Sequence, residues 1–159
     1  MTWRDDIYET CFDATVAKAI VSVVDTLLER DAYLLSADVH ERTIGHRFAV
    51  YLEQFFPKWN IDCEYNRDGH APKEIGAGFG NDGEHGSRVF PDVIVHERGT
   101  PNNFLVVELK KSSNPESDNF DFEKLRRYCI ELGYVHGLFI RFSVGQEVAG
   151  VSRVAFVYA

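Results

Sequence analysis

The chain has 159 residues, 45% of them hydrophobic and including 12 Phe and 7 Tyr, which suits one domain with a sizeable core. A formal net charge of −8 excludes a protein that grips nucleic acid through an overall positive surface. The charged N-terminus, and apolar runs well short of the roughly 20 residues that span a bilayer, lead us to expect a cytoplasmic protein without signal peptide or membrane segment.

Apolar residues at Phe12, Val16, Ala19, Ile20, Val23 and Leu27 follow the helical period and predict one amphipathic helix over about 5–30. A break at 31–37 precedes a second helix, from about Asp38 to Phe56, with Ile44, Phe48, Leu52 and Phe55 inward and Pro57 as its stop. A short strand at 61–65 leads into 67–88, whose glycines at 69, 76, 78, 80, 83 and 86 predict a mobile loop.

Val89–His96 and Phe104–Lys111 are rich in Val, Ile and Leu and are joined by the turn residues Gly99–Asn103, so they read as an antiparallel hairpin. A helix follows over 121–132, with Phe122, Leu125, Cys129 and Leu132 inward, Asp118 or Asp121 as its cap and Gly133 at its end. Two strands, 137–143 and 153–158, complete the order α-α-β-β-β-α-β-β in a single domain over 1–159. Cys11, Cys63 and Cys129 are odd in number and widely spaced, which suits reduced packing residues better than a disulfide framework or zinc site.

The chemistry concentrates on the hairpin. Side chains alternate along a strand, so Glu108 and Lys110 point one way and Val107 and Leu109 the other. A charged pair on a strand this apolar costs several kcal/mol by the usual order of magnitude unless a metal, water or partner compensates it. Asp92 on the neighbouring strand supplies a second carboxylate, and such oxygen ligands suit Mg²⁺ or Mn²⁺. The plain alternative is a solvated Asp and a solvated Glu/Lys pair.

Pro91-Asp92, then fifteen residues, then Glu108-Leu109-Lys110 resembles the signature of the PD-(D/E)XK nuclease superfamily. His40-Glu41-Arg42, Glu64-Tyr65-Asn66-Arg67 and Lys124-Leu125 are similar to segments of small bacterial single-domain members, and the likeness covers about 38–143. The resemblance implies an α/β fold with a restriction-endonuclease-like αβββαβ core, a mixed central sheet flanked by helices, here with an extra N-terminal helix. It also implies metal-dependent hydrolysis of phosphodiester bonds, with DNA the expected substrate and RNA the other.

Within that resemblance, Asp92, Glu108 and the backbone carbonyl of Leu109 hold Mg²⁺ or Mn²⁺, Lys110 orients the attacking water and stabilises developing negative charge, and an acid on the first core helix reaches the metal directly or through water. Glu41 fits that last place better than Glu53, because at about 100° per residue it falls on the stripe of Ile44, Phe48 and Leu52. Its plain reading is a capping-box residue three after Asp38. Glu64 is a weaker ligand candidate, and a solvated strand carboxylate describes it as well.

Lys111, Lys124 and Arg127, with Arg126, are candidate phosphate contacts or an ordinary charged helix face. The six histidines show no close ligand spacing and are expected in surface or core roles, with His40 and His96 as candidates near the site. The glycine-rich loop with Asn81–His85 precedes the hairpin and is either an unstructured surface loop or one that closes over substrate. The acid excess of the N-terminal third leaves room for a basic rim formed by these residues; otherwise a partner supplies the groove. Three organisations follow: a homodimeric nuclease, a nuclease subunit acting beside a DNA-binding protein, and a non-catalytic subunit that keeps the fold and binds protein.

Overall fold

The computed structural model describes residues 1–65, 74–75, 87–88 and 90–159. Its helices are α1 (Trp3–Thr10), α2 (Ala14–Arg30), α3 (Ala32–Ser36), α4 (Glu41–Leu52, continued by one 3-10 turn) and α5 (Asp118–Leu132). Its strands are β1 (Asn60–Cys63), β2 (Glu74–Ile75), β3 (Ser87–Arg88), β4 (Val93–His96), β5 (Asn103–Lys111), β6 (His136–Ser143) and β7 (Gly150–Val157). Among the described residues no helix is long and apolar enough to cross a membrane.

Five strands form one mixed sheet in the order β1-β4-β5-β6-β7. β4 and β5 pair as an antiparallel hairpin, β5 and β6 are parallel, and the remaining pairs are antiparallel. A parallel pair needs a crossover, and α5 supplies it. The chain is therefore an α/β protein with a mixed sheet between helices. One face buries Val93, Val95, Leu105, Val107, Leu109, Leu138 and Ile140 against α2 and α4. The other buries Ile94, Val106 and Phe139 against Leu125, Tyr128, Cys129 and Leu132 of α5. The period-2 alternation of β4 and β5 thus assigns each side chain to a layer.

Several boundaries differ from expectation, each for a local reason. The helix expected over 5–30 is two: Cys11 is extended (φ −92°, ψ 123°), and the Asp13 carboxylate accepts from the N–H groups of Thr15 and Val16 to start α2 afresh. Phe12 consequently leaves the inner stripe, stands 69% exposed and stacks on His136 at 4.8 Å. Residues 32–36, expected as a break, form the short α3.

The second expected helix starts three residues late. Asp38 takes a left-handed φ of 51°, and the ring Nδ1 of His40 caps α4 by accepting from Arg42 N–H. Glu41 is therefore the first residue of α4 and not part of a capping box. Phe55 falls in the 3-10 turn, where it is 42% exposed.

At α5 the cap is Ser117, whose hydroxyl accepts from Asn119 N–H. Asp118 and Asp121 do not cap it, because Asp118 is held by Arg141 and Arg153 and Asp121 by Lys110. The strand expected over 89–96 is β4 alone from Val93; Val89 lies outside the described residues, as does the expected loop over 67–88 apart from the β2/β3 pair. The last strand starts at Gly150, three residues earlier than expected. Cys11 and Cys129 are buried, Cys63 is exposed, and all three are free thiols.

α5 can lie close to the sheet because β6 has no side chain at Gly137. A Cβ there would sit 2.9 Å from the Val157 carbonyl oxygen and 3.4 Å from both Cys129 Sγ and Leu125 Cβ. Substitution Gly137→Ala is expected to cost about 1–3 kcal/mol, the usual range for overpacking, read as a lower midpoint in thermal or denaturant unfolding.

Candidate active site

Asp92 precedes β4, opposite Glu108 in the extended register that pairs Val93 with Val107. Pairing between the two strands ends there, and the Asp92 carboxylate takes over: its Oδ2 accepts from Leu109 N–H at 2.7 Å. Leu109 thus reaches the site through its amide. Glu108 extends towards α5, 4% exposed, and lies near enough to Asp92 for that carboxylate's charge to raise it.

Two side chains of α5 close over Glu108. Lys124 and Tyr128, one helical turn apart, both reach Oε1 at 3.2 Å, the first as an ammonium and the second as a hydroxyl donor. Neither contact was anticipated for Tyr128, whose apolar neighbours Leu125, Cys129 and Leu132 disguise it as one more core aromatic. The i, i+4 spacing of Lys124 and Tyr128 was the available signal.

Glu108 and Lys110 share a face, but the ammonium of Lys110 points along the strand to the entry of α5. Its Nζ lies 2.5 Å from Asp121 Oδ2, 3.2 Å from the Ser117 carbonyl and 3.4 Å from that of Glu116. Glu41, on α4, accepts from Lys111 N–H and from Asn114 Nδ2, both at 3.3 Å, and so ties the start of the β5–α5 connection to α4. It also lines a cavity of about 50 Å³ with Arg42, Gly45, Cys63, Glu64 and Asp92. Glu64 adopts a φ of 49° and pairs with Arg42 at 2.8 Å.

The other expected contributors are engaged elsewhere. Lys111 pairs with Asp38 at 3.0 Å and Arg127 with Glu131 at 2.6 Å. His40 caps α4, and His96 holds Asp62 at 2.7 Å toward the far end of β4, so neither joins Asp92 and Glu108. The Asn81–His85 segment lies outside the described residues. Of the expected basic rim, Lys110, Lys111, Lys124 and Arg127 each meet an acid, and Arg126 is exposed on α5 with no ion pair among the described residues.

Burial pushes the Asp92 carboxyl up, against the Leu109 hydrogen bond and the charge of Lys124. Burial and then the charge of Asp92 push Glu108 well above the usual carboxylate range. Tyr128 rises through burial and the Glu108 charge. Burial lowers Lys124, but Glu108 and Asp92 outweigh it and leave the ammonium stabilised.

With Lys110 paired to Asp121, the buried Glu108 and the half-buried Asp92 face one ammonium, and the residual negative charge favours a proton or a cation. Among the described residues no group of three or more His, Cys, Asp or Glu side chains converges to hold a metal ion. Two carboxylates suffice for Mg²⁺ or Mn²⁺, which retain several waters, so this donor set fits such an ion.

The raised carboxyl of Glu108 is favourable while protonated in the fold, and that advantage is lost as pH rises from its unfolded value of 4.5 through the folded one. In metal-free buffer, Glu108→Gln is therefore expected to be more stable than the wild type at pH 8, by about 1 kcal/mol or more, and nearly equal to it at pH 5. Thermal melting at the two pH values checks the sign.

No family model, curated protein or solved structure matches the chain.

Proposed function

We propose that this chain is a Mg²⁺- or Mn²⁺-dependent nuclease of the PD-(D/E)XK type, with a restriction-endonuclease-like core, that hydrolyses phosphodiester bonds of DNA or RNA. The observation that carries the reading is the buried Glu108 carboxyl with the half-buried Asp92 opposite it on the neighbouring strand, two acids faced by the single ammonium of Lys124. The mixed sheet, with the two acids on its antiparallel hairpin and α5 crossing to the parallel strand, is compatible with that core.

Asp92 and Glu108 would hold the cation, and the Leu109 amide fixes Asp92 for the purpose. When bound, the ion supplies Lewis-acid polarisation of the phosphodiester and activation of the attacking water. Glu41 faces Asp92 across the small cavity and would orient a water there. Lys110 would join only if released from Asp121, Ser117 and Glu116.

A second reading is favoured by the paired state of the surrounding cations. A groove for the phosphate backbone needs Lys and Arg that release counterions, and here these residues already answer acids. A partner protein or a second copy of the chain would then bring the groove to the site.

Incubation with single- and double-stranded DNA and RNA in Mg²⁺ or Mn²⁺ tests both readings. The wild type is expected to cleave at least one substrate, chelation with EDTA to stop it, and Asp92→Asn and Glu108→Gln each to reduce the rate by about 100-fold or more while remaining folded. A wild type inert on every substrate that still binds Mn²⁺ favours the partner-dependent subunit, and one that binds no metal contradicts the nuclease.

A further inference from the structure

The two lysines nearest the carboxylate pair are in opposite situations. Three oxygens meet the Lys110 ammonium: Asp121 Oδ2 as an ion-pair partner, and the Ser117 and Glu116 carbonyls as hydrogen-bond acceptors. All three acceptors belong to the turn that starts α5. The side chain is 4% exposed, so reaching a ligand at Glu108 means breaking a buried ion pair and stripping two carbonyls at the helix entry.

Lys124 is placed the other way round. Its ion-pair partner among the described residues is Glu108 itself, at 3.2 Å, and its Nζ lies 5.9 Å from the Phe120 ring centroid. Its side chain is 18% exposed, and α5 sets it one turn before Tyr128 on the same carboxylate oxygen. Donors remain on the ammonium for an anionic oxygen entering beside Glu108.

We propose that Lys124, and not Lys110 of the sequence motif, is the lysine that works with Asp92 and Glu108, while Lys110 is the tie that fastens α5 to β5. Lys124 and Tyr128 position Glu108, and in the resting protein the ammonium holds the carboxylate that a divalent cation would need. When a cation binds the carboxylates, Lys124 gives up Glu108 and turns to the phosphate oxygens of the substrate. This assignment rests on the nuclease reading above.

Lys124→Met, Lys124→Arg and Lys110→Met, each compared with the wild type, test it by Mn²⁺ titration at pH 8, by melting temperature and by cleavage rate. Removing a competing ammonium is expected to tighten Mn²⁺ binding by about threefold or more in Lys124→Met while cutting the maximal cleavage rate by about 100-fold, with part of the rate restored in Lys124→Arg. Lys110→Met is expected to melt at a lower temperature and to bind Mn²⁺ within about twofold of the wild type once folded.

Mn²⁺ affinity that changes in Lys110→Met and not in Lys124→Met, or equally in both, overturns the assignment while leaving the nuclease intact. If cleavage is undetectable in all proteins, the Mn²⁺ titrations still decide which lysine faces the site. A wild type that binds no Mn²⁺ overturns the nuclease reading and the role of Lys124 together.

Discussion

A buried carboxyl group beside a half-buried one stays ionised at neutral pH only at a cost that nearby positive charge offsets, and the architecture around β4 and β5 answers that demand at Glu108. Asp92 is fixed by the Leu109 amide, Glu108 by Tyr128 and Lys124, yet the sum still falls one positive charge short. A scaffold gains nothing from such a deficit, since an apolar replacement of similar volume is commonly neutral or stabilising. A protein that binds a divalent cation does gain, because the deficit is its affinity.

The fold meets this demand with short-range devices. β4 begins one residue after Asp92, which leaves that carboxylate free to replace a strand partner at Leu109. Gly137 allows α5 to approach the sheet, so that Lys124 and Tyr128 arrive over Glu108 from above. Arg141 donates to the carbonyls of Lys111, Asn114 and Glu116 and to Asp118, holding the β5–α5 connection, while Glu41 holds its start from the α4 side. The candidate site is thus bordered by elements from both faces of the sheet.

Much of this was legible in the sequence. The period-2 pattern of Phe104–Lys111 gives Glu108 and Lys110 one face and Leu109 the other, and the sheet has them so. The helical period locates α2, α4 and α5, and the turn residues at 99–103 locate the hairpin. What was hidden depended on contacts between distant segments or on a single cap. Asp13 divides the first helix through two hydrogen bonds that an apolar stripe cannot reveal. The destination of Lys110 depended on Asp121, eleven residues later, returning on α5, and the proximity of Lys124 to Glu108 required the same return. Charge counting likewise places cations near the motif without showing that Lys110, Lys111, Lys124 and Arg127 would each find an acid.

The acidic balance of the chain and the ion-paired cations around Asp92 speak for substrate contacts that are completed by another molecule or by rearrangement, whereas the buried pair speaks for chemistry at this point. The central claim is that the pair takes a divalent cation. Anomalous scattering from crystals grown in Mn²⁺, recorded at the manganese absorption edge, addresses it most directly. A peak between the carboxylates of Asp92 and Glu108, lost in Asp92→Asn, is the result expected; no peak there, or manganese bound only at other acids, would contradict the account.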